Sequence, residues 1–114
     1  MIYKKIPIVN LLKQLDPEVA KRLIIVIVNG VISTLKMGSL TIIDSEKLIF
    51  NLDILNYCET YIQDEKLFKI ISYGMELSDI ESLVKRDEIL VKAYNEIERQ
   101  LGKISYKDQD LIEQ

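Results

Sequence analysis

The stretch GMELSDIESL, residues 74–83, gathers three carboxylates: Glu76, Asp79 and Glu81. Glu76 and Asp79 lie one helical turn apart, and two carboxyls whose surroundings push their pKa values apart can divide acid and base work between them. Asp44 and Glu46 in IIDSEKL form a second such pair. The favoured reading of both groups is solvated helix ends, where acids cap free N–H groups. Cys58 is the single thiol. It becomes a nucleophile where a base or a helix N-terminus lowers its pKa, but among Leu55, Tyr57 and Tyr61 it reads as a small buried hydrophobe. Histidine is absent, which removes the commonest general base and metal ligand. Ser-His-Asp and Cys-His arrangements go with it, and one cysteine without histidine excludes the usual structural zinc site. Gly30, Gly38, Gly74 and Gly102 are too dispersed for a phosphate-cradling loop. DSEKLIFNLDIL lacks the alternating oxygen ligands and central glycine of an EF-hand. Neither a metal nor a cofactor is expected.

The elements that must position these groups follow from hydrophobic periodicity. LIIVIVNGVISTLKMG, residues 23–38, places Asn29-Gly30 between β-branched runs, a hairpin signal. The residues before it begin like a helix, with Asp16 as N-cap, Pro17 in the first position and Glu18 in the first turn. At about 100° per residue, Glu18, Lys21, Arg22, Asn29, Ser33 and Lys36 share an arc of about 120° that Ile25 alone interrupts. Ile24 through Val28 show no alternation, as a half-buried strand would. The pattern therefore predicts a helix over 17–36, ended by Gly38 in the left-handed conformation, with Gly30 marking the close approach of another helix or simply tolerated there.

Around it, Pro7 opens a short helix with Ile8, Leu11, Leu12 and Leu15 on one face; the other reading makes Ile2, Lys4, Ile6 and Ile8 one side of an extended segment. Thr41 or Asp44 caps a helix carrying Leu48 and Ile49 inward. Asn51 caps a helix over 52–62, and Asp64 one over 65–83 that breaks near Leu77–Ser78, where Ser78 and Glu81 have capping-box spacing. The last helix, 87–101, carries Leu90, Ala93, Tyr94, Ile97 and Leu101 and stops at Gly102, leaving 103–114 as a frayed turn or a docked tail. The expected fold is all-α, one domain over residues 1–114, a compact antiparallel array of five to six helices around the apolar helix 17–36. The alternative is α+β, with a small β-hairpin at the N-terminus or over 23–37.

The chain has 114 residues, 15 Lys and Arg against 18 Asp and Glu, and a net charge of −3. Its basic residues are scattered, with Lys4-Lys5, Lys21-Arg22 and Lys85-Arg86 the sole doublets, which argues against nucleic-acid binding. A lone cysteine fits a reducing cytoplasm, and Lys4-Lys5 leads into no cleavable signal pattern. The uncharged run Leu23–Leu35 falls short of the roughly 18 residues of a membrane span.

KRLIIVIVNGVISTLKMGSLTI, DSEKLIFN and ISYGMELSDIESL, in that order, resemble a family of short bacterial proteins classed as a domain of unknown function. The most specific piece is Gly74, Glu76, Leu77, Asp79, Ile80 and Glu81. The resemblance spans roughly residues 20–85 and implies a bacterial cytoplasmic protein, with GMELSDIE as its signature and no activity to carry over.

A small, acidic, histidine-free helical chain points to a non-catalytic protein-interaction domain, one form of which is an immunity- or antitoxin-like protein whose acidic patch matches a basic partner. The candidate surface is Tyr73, Glu76, Asp79 and Glu81, with Tyr73 as anchor and the acids as a steering rim. Two further readings are a structural homodimer through Leu90, Tyr94, Ile97 and Leu101, and a small-ligand or metal-dependent enzyme built on the 76–81 carboxylates.

Overall fold

A computed structural model describes residues 7–83 and 87–112, with side chains as far as Ile104. Among the described residues seven α-helices follow one another: α1 (Ile8–Leu12), α2 (Pro17–Lys36), α3 (Ile42–Leu48), α4 (Leu52–Tyr57), α5 (Glu65–Met75), α6 (Leu77–Leu83) and α7 (Asp87–Ile112), with a π-helical turn, Cys58–Ile62, after α4. No strand forms among the described residues, so neither the 23–37 hairpin nor an α+β fold occurs there. Residues 1–6, the bulk of the alternative extended segment, lie outside the described residues, as do Lys85-Arg86 and the last two positions of the tail.

Helix α2 forms for local reasons. The Asp16 carboxylate accepts the Glu18 N–H at 2.9 Å, and Pro17 occupies the first turn. At the other end Gly38 takes φ 74°. The Ser39 N–H reaches the Thr34 carbonyl and the Gly38 N–H that of Leu35, both at 3.1 Å, the two bonds of a Schellman stop. Ala20, Ile24, Ile25, Val28, Val31, Ile32 and Leu35 turn inward. Ile25, which interrupts the polar stripe, is buried, while Val19 and Val26 are exposed. The solvent-facing arc is thus turned by about 60° from the one that polar residues mark out. The half-buried Lys21 lies on the inner edge, held there by Asp64 at 2.9 Å.

Helices α3, α4 and α5 start where their caps dictate. Thr41 and Asp44 form a capping box at α3, the Asn51 side chain accepts the Ile54 N–H at 3.0 Å, and Asp64 accepts two N–H groups at α5. Three expectations need correction. Leu48 stays 40 % exposed while its neighbour Ile49 is buried. Ile49 is the C-cap of α3 and leaves helical geometry at φ −144°, so its side chain turns inward where that of Leu48 does not. The helix expected over 52–62 turns π-helical at Cys58, closing with the Gln63 N–H on the Cys58 carbonyl at 2.8 Å, and Gln63 is left-handed at φ 56°. Third, α7 does not stop at Gly102: it runs to Ile112 and buries Ile104. A glycine inside a helix costs about 1 kcal/mol, less than burying an isoleucine returns. The 65–83 helix breaks as expected, at Glu76; Ser78 lies inside α6 rather than ahead of it.

The core is continuous from Leu12 to Ile104. Helix α2 packs on α7 and on the π-helical turn, α5 on α7, and α6 on both α3 and α7. Polar ties hold this packing in register. The Tyr57 hydroxyl donates to the Leu12 carbonyl at 3.0 Å, joining α4 to α1. At the C-terminal end of α2, Lys36 reaches Asn95 at 2.6 Å and also Glu98, both on α7.

Candidate functional site

The carboxylates that could do chemistry sit at a helix cap and on an exposed helix face. Asp44 is spent on the α3 capping box, where hydrogen bonds from Thr41 hold its carboxyl below the usual range. Asp79 and Glu81 are exposed on α6. Among the described residues no three of His, Cys, Asp and Glu come together to hold a metal. Cys58 is fully buried beneath a shallow hollow that Glu59, Gln63 and Phe68 also line. Burial, reinforced by the charge of Asp64, pushes its thiol up to about 12. The thiolate is the reactive form, so native protein should resist a thiol-directed disulfide reagent and react only as it unfolds; immediate stoichiometric labelling of folded protein would contradict this.

Part of the signature does enter a built feature. Ile104, far along α7, shares a hollow with Lys66 at the start of α5. Near the start of α7, burial and then the charges of Glu81 and Asp87 raise the Tyr94 hydroxyl. Thus α7 runs antiparallel to α5 and α6. Between α5 and α7 lies an open groove of about 560 Å³. Ile70 and Ile97 form its floor, and the half-buried rings of Phe68 and Tyr73 its walls. Lys66, Lys69 and Lys103 line it together with Glu76, Glu96 and Gln100.

Two of the groove's charges, Glu96 and Lys69, have defined partners. Arg99 grips Glu96 with Nε at 2.9 Å and Nη2 at 2.6 Å, and Gln100 adds a third hydrogen bond at 3.0 Å. These bonds hold the Glu96 carboxyl down at about 2, so it is charged at neutral pH. Lys69 sits 3.3 Å from Glu65 in a pair that is mostly exposed, an arrangement worth little.

Of the four residues expected at an interaction surface, the groove unites Tyr73 and Glu76; Asp79 and Glu81 do not line it. The expected dimer face is corrected. Tyr94, Ile97 and Leu101 are 6 %, 1 % and 1 % exposed within a single chain, and Leu90 is half-buried against the same core. That stripe closes the protein's own core and offers no free apolar face; only Ile97 of it borders the α5–α7 groove. Missing from the expectation are Phe68 and the α7 half of the groove. The signal for the latter was the spacing of Glu96, Gln100 and Lys103 along one helix face, which an assumed stop at Gly102 cut short.

A family model described as "Protein of unknown function (DUF3969)" matches residues 15–112. No curated protein and no solved structure gives a significant match.

Proposed function

This chain belongs to the DUF3969 family, whose function is unknown, and from that premise we propose that it is a non-catalytic protein-interaction domain that docks a partner protein in the α5–α7 groove. The observation that carries the reading is the groove itself: a floor of Ile70 and Ile97 beside the half-buried aromatic rings of Phe68 and Tyr73. Aromatic residues flanked by charges are the usual anchors of protein interfaces. The exposure of Glu76, Asp79 and Glu81 and the burial of Cys58 support a non-catalytic role over the carboxylate-enzyme alternative.

An inhibitory partner of the immunity or antitoxin kind draws support from the exposed acids Glu76, Asp79 and Glu81 at the α5–α6 corner, which suit a basic surface. A net charge of −3 disfavours nucleic acid. No described helix is long and apolar enough to cross a membrane. With one cysteine, Cys58, no intramolecular disulfide is expected, and we place the protein in the cytoplasm.

Differential capture tests the docking reading. Immobilised wild-type protein, Tyr73→Ala and the remote-face variant Val26→Lys are exposed to extract of the native cell, with folding checked by circular dichroism. Proteins retained by wild type and Val26→Lys should be lost from Tyr73→Ala. Retention by all three alike would remove the groove from the function.

A further inference from the structure

Resting on the docking reading of the α5–α7 groove, we propose that its occupant is a second copy of this chain. The argument comes from the order of charges along the two helices. On the α5 side Lys69 precedes Glu76 by seven residues; on α7 Glu96 precedes Lys103 by seven. Seven residues are two helical turns, about 10 Å. Because the helices run antiparallel, the opposite orders place both lysines at one end of the groove and both glutamates at the other. Lys66 adds to the basic end.

A surface that is positive at one end and negative at the other is its own electrostatic complement under one symmetry operation. A two-fold axis lying in the interface, across the helices, sets each Lys69 against the other copy's Glu76 and each Lys103 against its Glu96. An axis along the helices would set like on like. The midpoint of each charge row falls beside Tyr73 on α5 and Gln100 on α7. The rings of the two Tyr73 residues therefore meet near the axis, above the floors of Ile70 and Ile97. Two antiparallel helix pairs stacked this way form a four-helix arrangement with an isologous interface.

Neither Lys69 nor Glu96 has its capacity for a further partner filled by its local contacts. The Lys69–Glu65 pair is mostly exposed and weak, and a carboxylate such as Glu96 has lone pairs beyond those that Arg99 and Gln100 occupy. The proposed contact is charge-rich, so it weakens with salt.

The test is sedimentation equilibrium of the full chain up to about 500 μM, a range that reaches weak dimers, at low and high ionic strength, with Lys69→Glu and Glu76→Lys. Both positions are exposed, so both variants should fold. Wild type should dimerise, more weakly in high salt. Each variant alone should dissociate at least about tenfold more readily, because an isologous contact is lost twice. Mixed in equal amounts, the two variants should form a heterodimer, since acids at 69 and 76 on one chain then face lysines at both positions on the other. A monomer at every concentration, a dimer indifferent to both substitutions, or two impaired variants that fail to rescue each other would overturn the proposal. If the chain is monomeric while Tyr73→Ala still loses a captured protein, the second copy is excluded and the docking reading stands.

Discussion

Gly74→Ala should destabilise the protein by about 3 kcal/mol, the upper range for overpacking a core. Gly74 is buried, and a Cβ built there falls far inside van der Waals contact of the Phe50 ring. Phe50 is 1 % exposed, so the ring has no solvent to move into. Urea unfolding, followed by circular dichroism because the chain lacks tryptophan, reads the loss as a lower midpoint at unchanged slope. Phe50→Leu should recover part of the loss when combined with Gly74→Ala, and a double-mutant cycle would show strong coupling. A cost below about 0.5 kcal/mol would show that the ring yields without strain. Gly30 has the opposite character. It is exposed, and an added Cβ meets nothing within 4 Å. Gly30→Ala should therefore stabilise α2 by up to about 1 kcal/mol.

Asp64→Ala should cost about 2 kcal/mol, from the lost cap and from leaving half-buried Lys21 without this partner. The Asp64 carboxylate accepts the Lys66 N–H at 2.9 Å and the Leu67 N–H at 3.2 Å, and it pairs with Lys21 at 2.9 Å. This one side chain starts α5 and fastens it to the beginning of α2. Burial alone would raise its pKa, but the Lys21 and backbone hydrogen bonds outweigh burial and lower it. A carboxyl lowered in the folded state stabilises above its unfolded value, near 3.9, and loses that contribution as pH falls through the folded value. The stability curves of wild type and Asp64→Ala should accordingly differ fully at neutral pH and draw together in acid. Asp64→Asn, which keeps a cap but no charge, should fall between them. A gap between wild type and Asp64→Ala that is constant from neutral pH to pH 2 would show that the charge is irrelevant.

Much of the fold was legible because its signals are local. Asp16-Pro17 and Gly38 bound α2, and Thr41, Asn51 and Asp64 each cap the helix that follows, because a side chain two or three residues from a free N–H satisfies it without help from the rest of the chain. Half of the candidate site was legible too, as Tyr73 and Glu76 within YGMELSDIE. The α7 half was not, since Glu96 and Lys103 join that surface through antiparallel packing some twenty or more residues away in sequence.

What the sequence by itself determined is therefore the helical class, the helix starts and the absence of histidine chemistry, all properties of residue type and near spacing. Tertiary structure decided which candidates meet. Gly30 was expected to mark a close approach and faces solvent; Gly74 takes that role because Phe50, from the segment after α3, arrives over α5. The stripe of Tyr94, Ile97 and Leu101 was open to a second chain on periodicity alone and is consumed by the core of one. An apolar face states that it must be covered, but only packing states by what. The same holds for the carboxylates of residues 76–81: one helix break at Glu76 leaves Asp79 and Glu81 on α6 and turns Glu76 into the acidic end of a groove whose basic end comes from Lys69 and Lys103.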